Sequence, residues 1–367
     1  MLNYAYRGLP WDIVFGVDAA RRLPDEMDQR GLERALVLTT PNQARQGEQL
    51  KRQLAHRAVG LFSEAVMHVP SGTLAAATHM AKAVDARCTV ALGGGSTTGL
   101  GKALAVKNGL ANVAIPTTYA GSEMTDIWAV TEGDRKVTKR DVRAVPTLTI
   151  YDPKLTLSLP PKFAAASGMN AMAQAVVNVA THRPNPMVGA MAADAIRTLA
   201  QNLPLIMRNG DDLEARTGAL YGASLAAAAL GTGTTSLHHR LCHAFGGAFN
   251  TPHAETHAVL LPYSVDFNAS AIPKATSRVA EALGSDSAAG GLRLLAESVG
   301  APLSLSEIGV GRSDIEKAVR LALAAPLDNA RPVSPDELHE LLVRAFDGQL
   351  LGSGSAIATG ARTSQPA

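Results

Sequence analysis

The first 150 residues alternate short apolar runs with amphipathic stretches. Ala35-Leu36-Val37-Leu38-Thr39, Cys88-Thr89-Val90-Ala91-Leu92, Asn112-Val113-Ala114-Ile115-Pro116 and Thr147-Leu148-Thr149-Ile150-Tyr151 are nearly continuous in apolar residues. That is the pattern of strands covered on both faces. A weaker run extends from Gly60-Leu61-Phe62 to Val66-Met67. Between Leu74 and Ala86, and again from Leu100 to Val106, apolar positions recur at helical spacing. Such alternation predicts a parallel, Rossmann-like sheet with helices on both faces.

After Asp152-Pro153 the pattern changes. Ser158-Leu159-Pro160-Pro161 breaks the chain, and long Ala/Leu-rich stretches of helical period follow. They predict helices over 162–181, 188–203, 213–229, 237–249 and 256–268, with shorter ones over 274–283, 289–299, 313–324 and 334–346. The expected organisation is an α/β domain over 1–155, an all-helical domain over 156–350 and a mobile Gly/Ser/Ala-rich tail over 351–367.

Composition narrows the class. Hydrophobic residues make up 46% of the 367, enough for a large core, while only 4% are aromatic. Abundant Ala and Gly point to close helix packing. The 34 basic and 32 acidic residues leave a formal charge of +2, which argues against nucleic acid or an anionic membrane as the main partner. Cys88 and Cys242 are the only cysteines, so a disulfide framework is excluded and reduced thiols in a cytosol are expected. Cys242 adjoins His243, but a small core residue is the favoured reading over a nucleophile. The first residues carry no long apolar run, and the most apolar stretch, Leu220 to Leu230, is too short for a bilayer. A cytoplasmic protein is expected.

Two segments carry candidate chemistry. Gly93-Gly94-Gly95-Ser96 sits where a strand feeds a helix, where backbone amides can approach a pyrophosphate. A second polar turn, Pro116-Thr117-Thr118-Tyr119-Ala120-Gly121-Ser122-Glu123, ends the next strand. Gly93, Gly94, Gly95, Ser96, Thr117 and Thr118 are therefore the expected cofactor-binding residues, with Lys102 reaching either phosphate or solvent. The first strand leads into Thr39-Thr40-Pro41-Asn42 without the carboxylate that often holds the ribose hydroxyls of NAD, so NADPH is expected to be accepted as well as NADH. Lys136, Lys139 and Arg140 form a small basic group, read as a solvated hairpin in preference to a carboxylate-binding site.

The second segment holds five of the ten histidines: His238, His239 and His243, then His253 and His257. On a helix His239 and His243 face the same way, and so do His253 and His257. Such pairs suit a divalent metal. The nearby Ser167-Gly168-Met169-Asn170-Ala171-Met172-Ala173-Gln174 offers only amides, which are weak ligands for transition metals. His238 points off the shared face and is the weakest candidate of the five; His56, His68, His79, His182 and His339 are scattered and are read as structural.

Together these segments resemble the iron-containing alcohol dehydrogenase superfamily. Within it, Tyr119-Ala120-Gly121-Ser122-Glu123-Met124-Thr125, Tyr151-Asp152-Pro153, Ser167-Gly168-Met169-Asn170 and His253-Ala254-Glu255-Thr256-His257 are similar to the maleylacetate reductases. The resemblance spans about Arg34 to Pro332. It implies the dehydroquinate synthase-like fold, a homodimer and NAD(P)H-dependent reduction of maleylacetate, a small dicarboxylate, to 3-oxoadipate in aromatic-ring degradation. In metal-using relatives the positions of Asn170, Gln174, His239 and His253 are Asp, His, His and His. The reductases share the Asn and work without a required metal, so none is expected here. His243 corresponds to a histidine near the nicotinamide.

On this reading His243 or His253 donates to the oxyanion that develops on the ketone, and His239 and His257 complete an electropositive pocket. Tyr119, Asn170 and Gln174 are expected on the substrate side. Gln174 stands where the reductases usually carry His, Val177-Asn178 replaces a familiar acidic residue, and Leu327 replaces a Tyr. These departures motivate a second reading, a repurposed member catalysing a non-redox cyclisation or elimination. A binding protein with a dead site is a third.

Overall fold

The computed structural model describes residues 3–133, 135–233 and 235–350, with backbone alone at 135 and 136. The expected tail over 351–367 lies outside the described residues, as does the side chain of Lys136.

Among the described residues there are eight strands: β1 (Ile13–Phe15), β2 (Ala35–Leu38), β3 (Ala58–Phe62), β4 (Cys88–Gly93), β5 (Ala111–Pro116), β6 (Ile127–Glu132), β7 (Arg135–Arg140) and β8 (Leu148–Tyr151). Six form one parallel sheet in the order β1-β8-β5-β4-β2-β3. β6 and β7 form a separate antiparallel hairpin, the feature expected around Lys139 and Arg140. The weak run toward Met67 is strand only as far as Phe62. Val66 and Met67 are exposed, and His68 and Val69 follow in left-handed conformation, so no ladder can continue there.

Four helices cover the sheet: α1 (Leu23–Gln29), α2 (Ala44–Leu54), α3 (Ser71–Ala83) and α4 (Gly95–Asn108). Leu23, Met27, Leu50 and Leu54 pack with Val37, Val90 and Val113 on one face. Ala77, Ala81, Leu100 and Leu104 pack with Leu36, Leu38 and Ala91 on the other. Thus α2 leaves β2 on one face and α4 leaves β4 on the opposite face. The chain reverses its strand order between these two neighbours, and in open α/β sheets ligands bind at the carboxyl ends of strands at such a point.

Beyond a short α5 (Pro153–Thr156) the chain is helical: α6 (Pro161–Val179), α7 (Pro186–Arg208), α8 (Leu213–Thr232), α9 (Leu237–Phe249), α10 (His253–Asn268), α11 (Pro273–Leu283), α12 (Ala288–Ser298), α13 (Ile315–Ala322) and α14 (Pro335–Asp347). Alanines such as Ala171, Ala175, Ala195, Ala223 and Ala227 are fully buried between α6, α7 and α8, and their small side chains let the axes approach closely. Arg216 is completely buried and donates to the carbonyls of Thr156, Leu159 and Gly210 at 2.8–3.0 Å, which ties the segment leaving the sheet to α8. Among the described residues no helix is long and apolar enough to cross a membrane.

Candidate active site

At the sheet edge, Gly93 takes a φ of +152°, a conformation that glycine adopts without strain. A Cβ there would lie 2.5 Å from Thr97 Oγ1 and 2.8 Å from Gln43 Oε1, so no other residue fits. Gly94 is less tight, a Cβ there meeting Thr118 Oγ1 and Cγ2 at 3.0 Å. Gly95 opens α4, is exposed, and would bring a Cβ no closer than 3.7 Å to Ala120. Among the described residues no side chain caps the α4 N-terminus, so its first amides are available to a ligand. Gln43, on the β2 side of the reversal, donates from Nε2 to Thr117 Oγ1 at 3.1 Å and so joins the ends of β2 and β5. Ser96 and Thr118 are half-buried at the same edge. This cradle fits a pyrophosphate. Gln43 was not anticipated, since nothing in Pro41-Asn42-Gln43 signals that it bridges two strands distant in sequence.

Lys102 needs correction as a cofactor ligand. It is wholly buried, and Nζ donates to the carbonyls of Ser122 at 2.6 Å and Thr125 at 2.8 Å and to Thr125 Oγ1 at 3.0 Å. All three of its protons are committed to pinning the 122–125 turn, leaving none for phosphate or solvent. Burial pulls its pKa down to about 7, against the opposing pull of Glu123. Glu123 accepts from Tyr151 Oη at 2.8 Å, and burial raises its carboxyl.

Tyr119 also departs from expectation. Its backbone N–H donates to Ser167 Oγ at 3.0 Å, but its ring is 1% exposed, within the core of the helical half. The hydroxyl is buried with no hydrogen-bond partner among the described residues, and the Arg216 charge acts on it from within the core. Burial raises its pKa.

Helix α6 links this turn to the histidines. Asn170 and Gln174 lie one turn apart and are buried. Gln174 Nε2 donates to Ala120 O at 3.0 Å, while its Oε1 is packed against Gly121, whose φ of +82° and close approach exclude a side chain. One turn on, Val177 and His238 line a common small cavity.

The five histidines of α9 and α10 form one cluster. Ring centroids are 4.6 Å apart for His253 and His257, 5.5 Å for His239 and His257, 4.9 Å for His238 and His257, and 6.5 Å for His239 and His243. His243 and His253 are exposed, whereas His238, His239 and His257 are buried. The electropositive pocket expected from His239 and His257 is therefore corrected. Burial holds His239 down to about 3 and His238 and His257 well below their ordinary value, with neighbouring imidazoles adding to the effect. All three are neutral at physiological pH. His238, the weakest candidate from the sequence, is hydrogen-bonded into the cluster. Its Nε2 is 2.9 Å from His257 Nδ1, its Nδ1 is 3.2 Å from Ser264 Oγ, and Cys242 Sγ is 3.6 Å away. Burial drives the Cys242 thiol upward, so it is no thiolate nucleophile.

The residues at the family's metal positions do not fit an iron ion. Asn170, Gln174, His239 and His253 supply no anionic ligand, and amide oxygens are poor partners for iron. A ligating imidazole almost always donates its second N–H to an outer partner, yet His239 Nδ1 is buried with no hydrogen-bond partner among the described residues. His238, Cys242 and His257 converge within 4.8 Å, but a cation there would displace the His238–His257 hydrogen bond.

Residues 10–153 match the model described as iron-containing alcohol dehydrogenase, and residues 164–346 match the Fe-containing alcohol dehydrogenase family, C-terminal model. The chain is 46% identical to a maleylacetate reductase of Sphingobium indicum over 95% of its length and 98% of the relative's. It is 47% identical to one of Burkholderia cepacia over 92% of its length and 96% of the relative's. The crystal structure of maleylacetate reductase from Agrobacterium tumefaciens superposes with a TM-score of 0.93 at 42% identity, covering 95% of this chain and 99% of that one.

Proposed function

Because the chain belongs to the iron-containing alcohol dehydrogenase family and is an oxidoreductase, we propose that it reduces maleylacetate, or a closely similar unsaturated oxo dicarboxylate, to 3-oxoadipate with NADH or NADPH and without a catalytic metal. The observation that supports this most is likeness to maleylacetate reductases through both halves of the chain. The non-redox alternative has no support in these relatives. The half up to residue 155 binds the coenzyme and 156–350 carries the catalytic imidazoles. The protein acts in the cytoplasm as a homodimer, for which the exposed Ile13 and Phe15 of edge strand β1 offer a surface.

Gly94, Gly95, Ser96 and the α4 amides hold the pyrophosphate, with Thr117 and Thr118 beside it. The coenzyme, when bound, supplies a hydride to the alkene carbon remote from the ketone. The chain's own residues must then stabilise the negative charge that reaches the ketone oxygen. His243 and His253, exposed on adjacent helices, are the donors for it, and preorganised donors of this kind are commonly a large contribution to rate. The neutral trio beneath them fixes their positions. Gln174 holds the 120–121 turn against α6, and Asn170, one turn before it, lies on the same side, so both shape the substrate side.

The test is oxidation of NADH and NADPH with maleylacetate, with and without EDTA. Turnover with both coenzymes, unchanged by the chelator, is expected. Absence of turnover would reject the substrate, and loss of turnover on chelation would reject the metal-free mechanism.

A further inference from the structure

Three buried groups stand in series behind the exposed histidines. His257 Nδ1 lies 2.9 Å from His238 Nε2, and His238 Nδ1 lies 3.2 Å from Ser264 Oγ. His257, His238 and Ser264 are 2%, 1% and 3% exposed. Ser264 Oγ also lies 2.9 Å from the Leu261 carbonyl, which can only accept. Next to Ser264 is a cavity of about 10 Å³ bounded by Val177, Ala180, Ser236, His238 and Asn268. That is room for one water, with half-buried Ala180 and Ser236 at the rim.

Two hydrogen-bond arrangements satisfy these distances. In the first, the Ser264 hydroxyl donates to Leu261 O, His238 Nδ1–H donates to Ser264 Oγ, and His257 Nδ1–H donates to His238 Nε2. His257 Nε2 then carries a lone pair. In the second, the hydroxyl turns to donate to His238 Nδ1, His238 Nε2–H donates to His257 Nδ1, and His257 Nε2 carries a hydrogen. The chain thus sets whether the imidazole beside His253 gives or takes a proton.

Reduction of a conjugated oxo acid consumes one proton besides the hydride. The hydride forms a C–H bond at the remote alkene carbon, the π pair moves to an enolate, and a proton must reach the carbon next to the ketone. We infer that Ser264, His238 and His257 are the relay that supplies this proton, a step that rests on the maleylacetate reductase reading. Starting from the second arrangement, His257 Nε2–H gives its proton to the enolate carbon. His257 Nδ1 takes one from His238 Nε2, His238 Nδ1 takes one from Ser264, and Ser264 takes one from the cavity water. Solvent at the rim neutralises the hydroxide left there. With the site open again, water protonates His257 Nε2 and the same hops run backward, releasing a proton at the rim. Each turnover thereby draws one proton from solvent. His257 is the catalytic member; His238 and Ser264 act through it.

The experiment compares the wild-type chain with Ser264→Ala and Ser264→Thr, using coenzyme deuterated at the transferred position, in H2O and D2O. Ser264→Ala is expected to lower kcat about ten- to hundredfold with KM held within about twofold. Its solvent isotope effect rises and its coenzyme isotope effect falls toward unity, because proton supply becomes limiting. Ser264→Thr keeps the hydroxyl, so the histidine tautomers stay as in wild type, but its methyl takes the place of the cavity water, so kcat and both isotope effects are expected to follow Ser264→Ala; wild-type kcat in Ser264→Thr overturns the cavity as the proton source. A wild-type kcat in Ser264→Ala overturns the relay, and so does a lowered kcat with the coenzyme isotope effect intact. Nitrogen NMR of 15N-histidine in the coenzyme-free protein is the second readout. Ser264→Ala is expected to change the tautomer populations of both His238 and His257, and unchanged populations overturn the relay even if maleylacetate proves not to be the substrate. A linked tautomer change in a wild-type chain that ignores maleylacetate overturns the substrate and leaves the relay standing.

Discussion

The two sides of the site are made of different materials. On the sheet side the groups proposed to face the ligand are backbone: the amides of α4, exposed by Gly95 and left uncapped, with hydroxyls and Gln43 in support. On the helical side they are side chains, two exposed imidazoles resting on three buried neutral ones. A backbone site tolerates many changes so long as the chain keeps its path. A side-chain site depends on each member and on the tautomer it is held in. The helical side should therefore be the more fragile in rate, and the sheet side the more fragile in coenzyme affinity.

The largest expected effect tests the first half of that contrast. His253→Ala removes an exposed ring from the first turn of α10, so melting should change little. Turnover is expected to fall about 100- to 1000-fold, the loss typical of one oxyanion donor. A steady-state assay with maleylacetate and saturating coenzyme checks this. Unchanged kcat would move the donor role to His243 alone.

Next in size is Gly95→Val. Its Cβ meets only Ala120, at 3.7 Å, and the helical φ needs no glycine, so stability should stay within about 0.5 kcal/mol. The isopropyl group occupies the space a pyrophosphate would take. Coenzyme Kd is expected to rise about tenfold or more, equivalent to roughly 1.4 kcal/mol, while kcat extrapolated to saturating coenzyme changes less. Fluorescence titration with NADPH reads it directly. Equal affinity in the variant would separate the glycine turn from the coenzyme.

The same division governs what the sequence made legible. Near-continuous apolar runs require strands buried on both faces, and β2, β4, β5 and β8 stand where those runs are. The glycine turn was visible because three consecutive glycines stand where a strand run feeds a helical one. The three-residue edge strand β1 is too short for a pattern, and α2 buries only Gly47, Leu50 and Leu54 among polar neighbours, so both escaped notice. In the helical half the period located the helices and the histidine pairs. It could not say that His238 faces His257 on a different helix, because that contact is fixed by how α9 and α10 pack. Lys102 failed for a related reason: a lysine after a glycine turn suggests phosphate, but only the fold brings the 122–125 carbonyls to its ammonium. Tyr119 failed because alternate residues of one turn face opposite ways.

A smaller effect sharpens the placement of Lys102. Its pKa is about 7 in the folded chain against 10.5 ordinarily, so between those values the unfolded state binds more protons. Stability therefore rises with pH across that window, and the penalty is fully present below pH 7. Lys102→Met removes this dependence along with three hydrogen bonds. Thermal unfolding at pH 7 and pH 10 is expected to show wild type gaining relative to the variant as pH increases. Coenzyme affinity at pH 7 should be nearly equal in the two, and a large loss in the variant would return Lys102 to the phosphate.

The smallest effect is expected at Tyr119. Its ring is packed in the helical core, and only its backbone N–H, bonded to Ser167, serves the turn that carries Thr117 and Thr118. Tyr119→Phe keeps the ring and that backbone bond and removes the hydroxyl beside Arg216. Arg216 retains its three carbonyl acceptors, so its charge stays satisfied. That hydroxyl is buried with no hydrogen-bond partner among the described residues, so its removal should leave the melting temperature unchanged or slightly raised. If the hydroxyl lies away from the substrate, KM for maleylacetate should move less than about twofold, since no uniform binding interaction has been removed. A tenfold rise in KM without loss of stability would mean that the tyrosine turns toward the ligand when the site is filled. The sheet-side turn would then contribute side chains to recognition, and the division between a backbone side and a side-chain side would no longer hold.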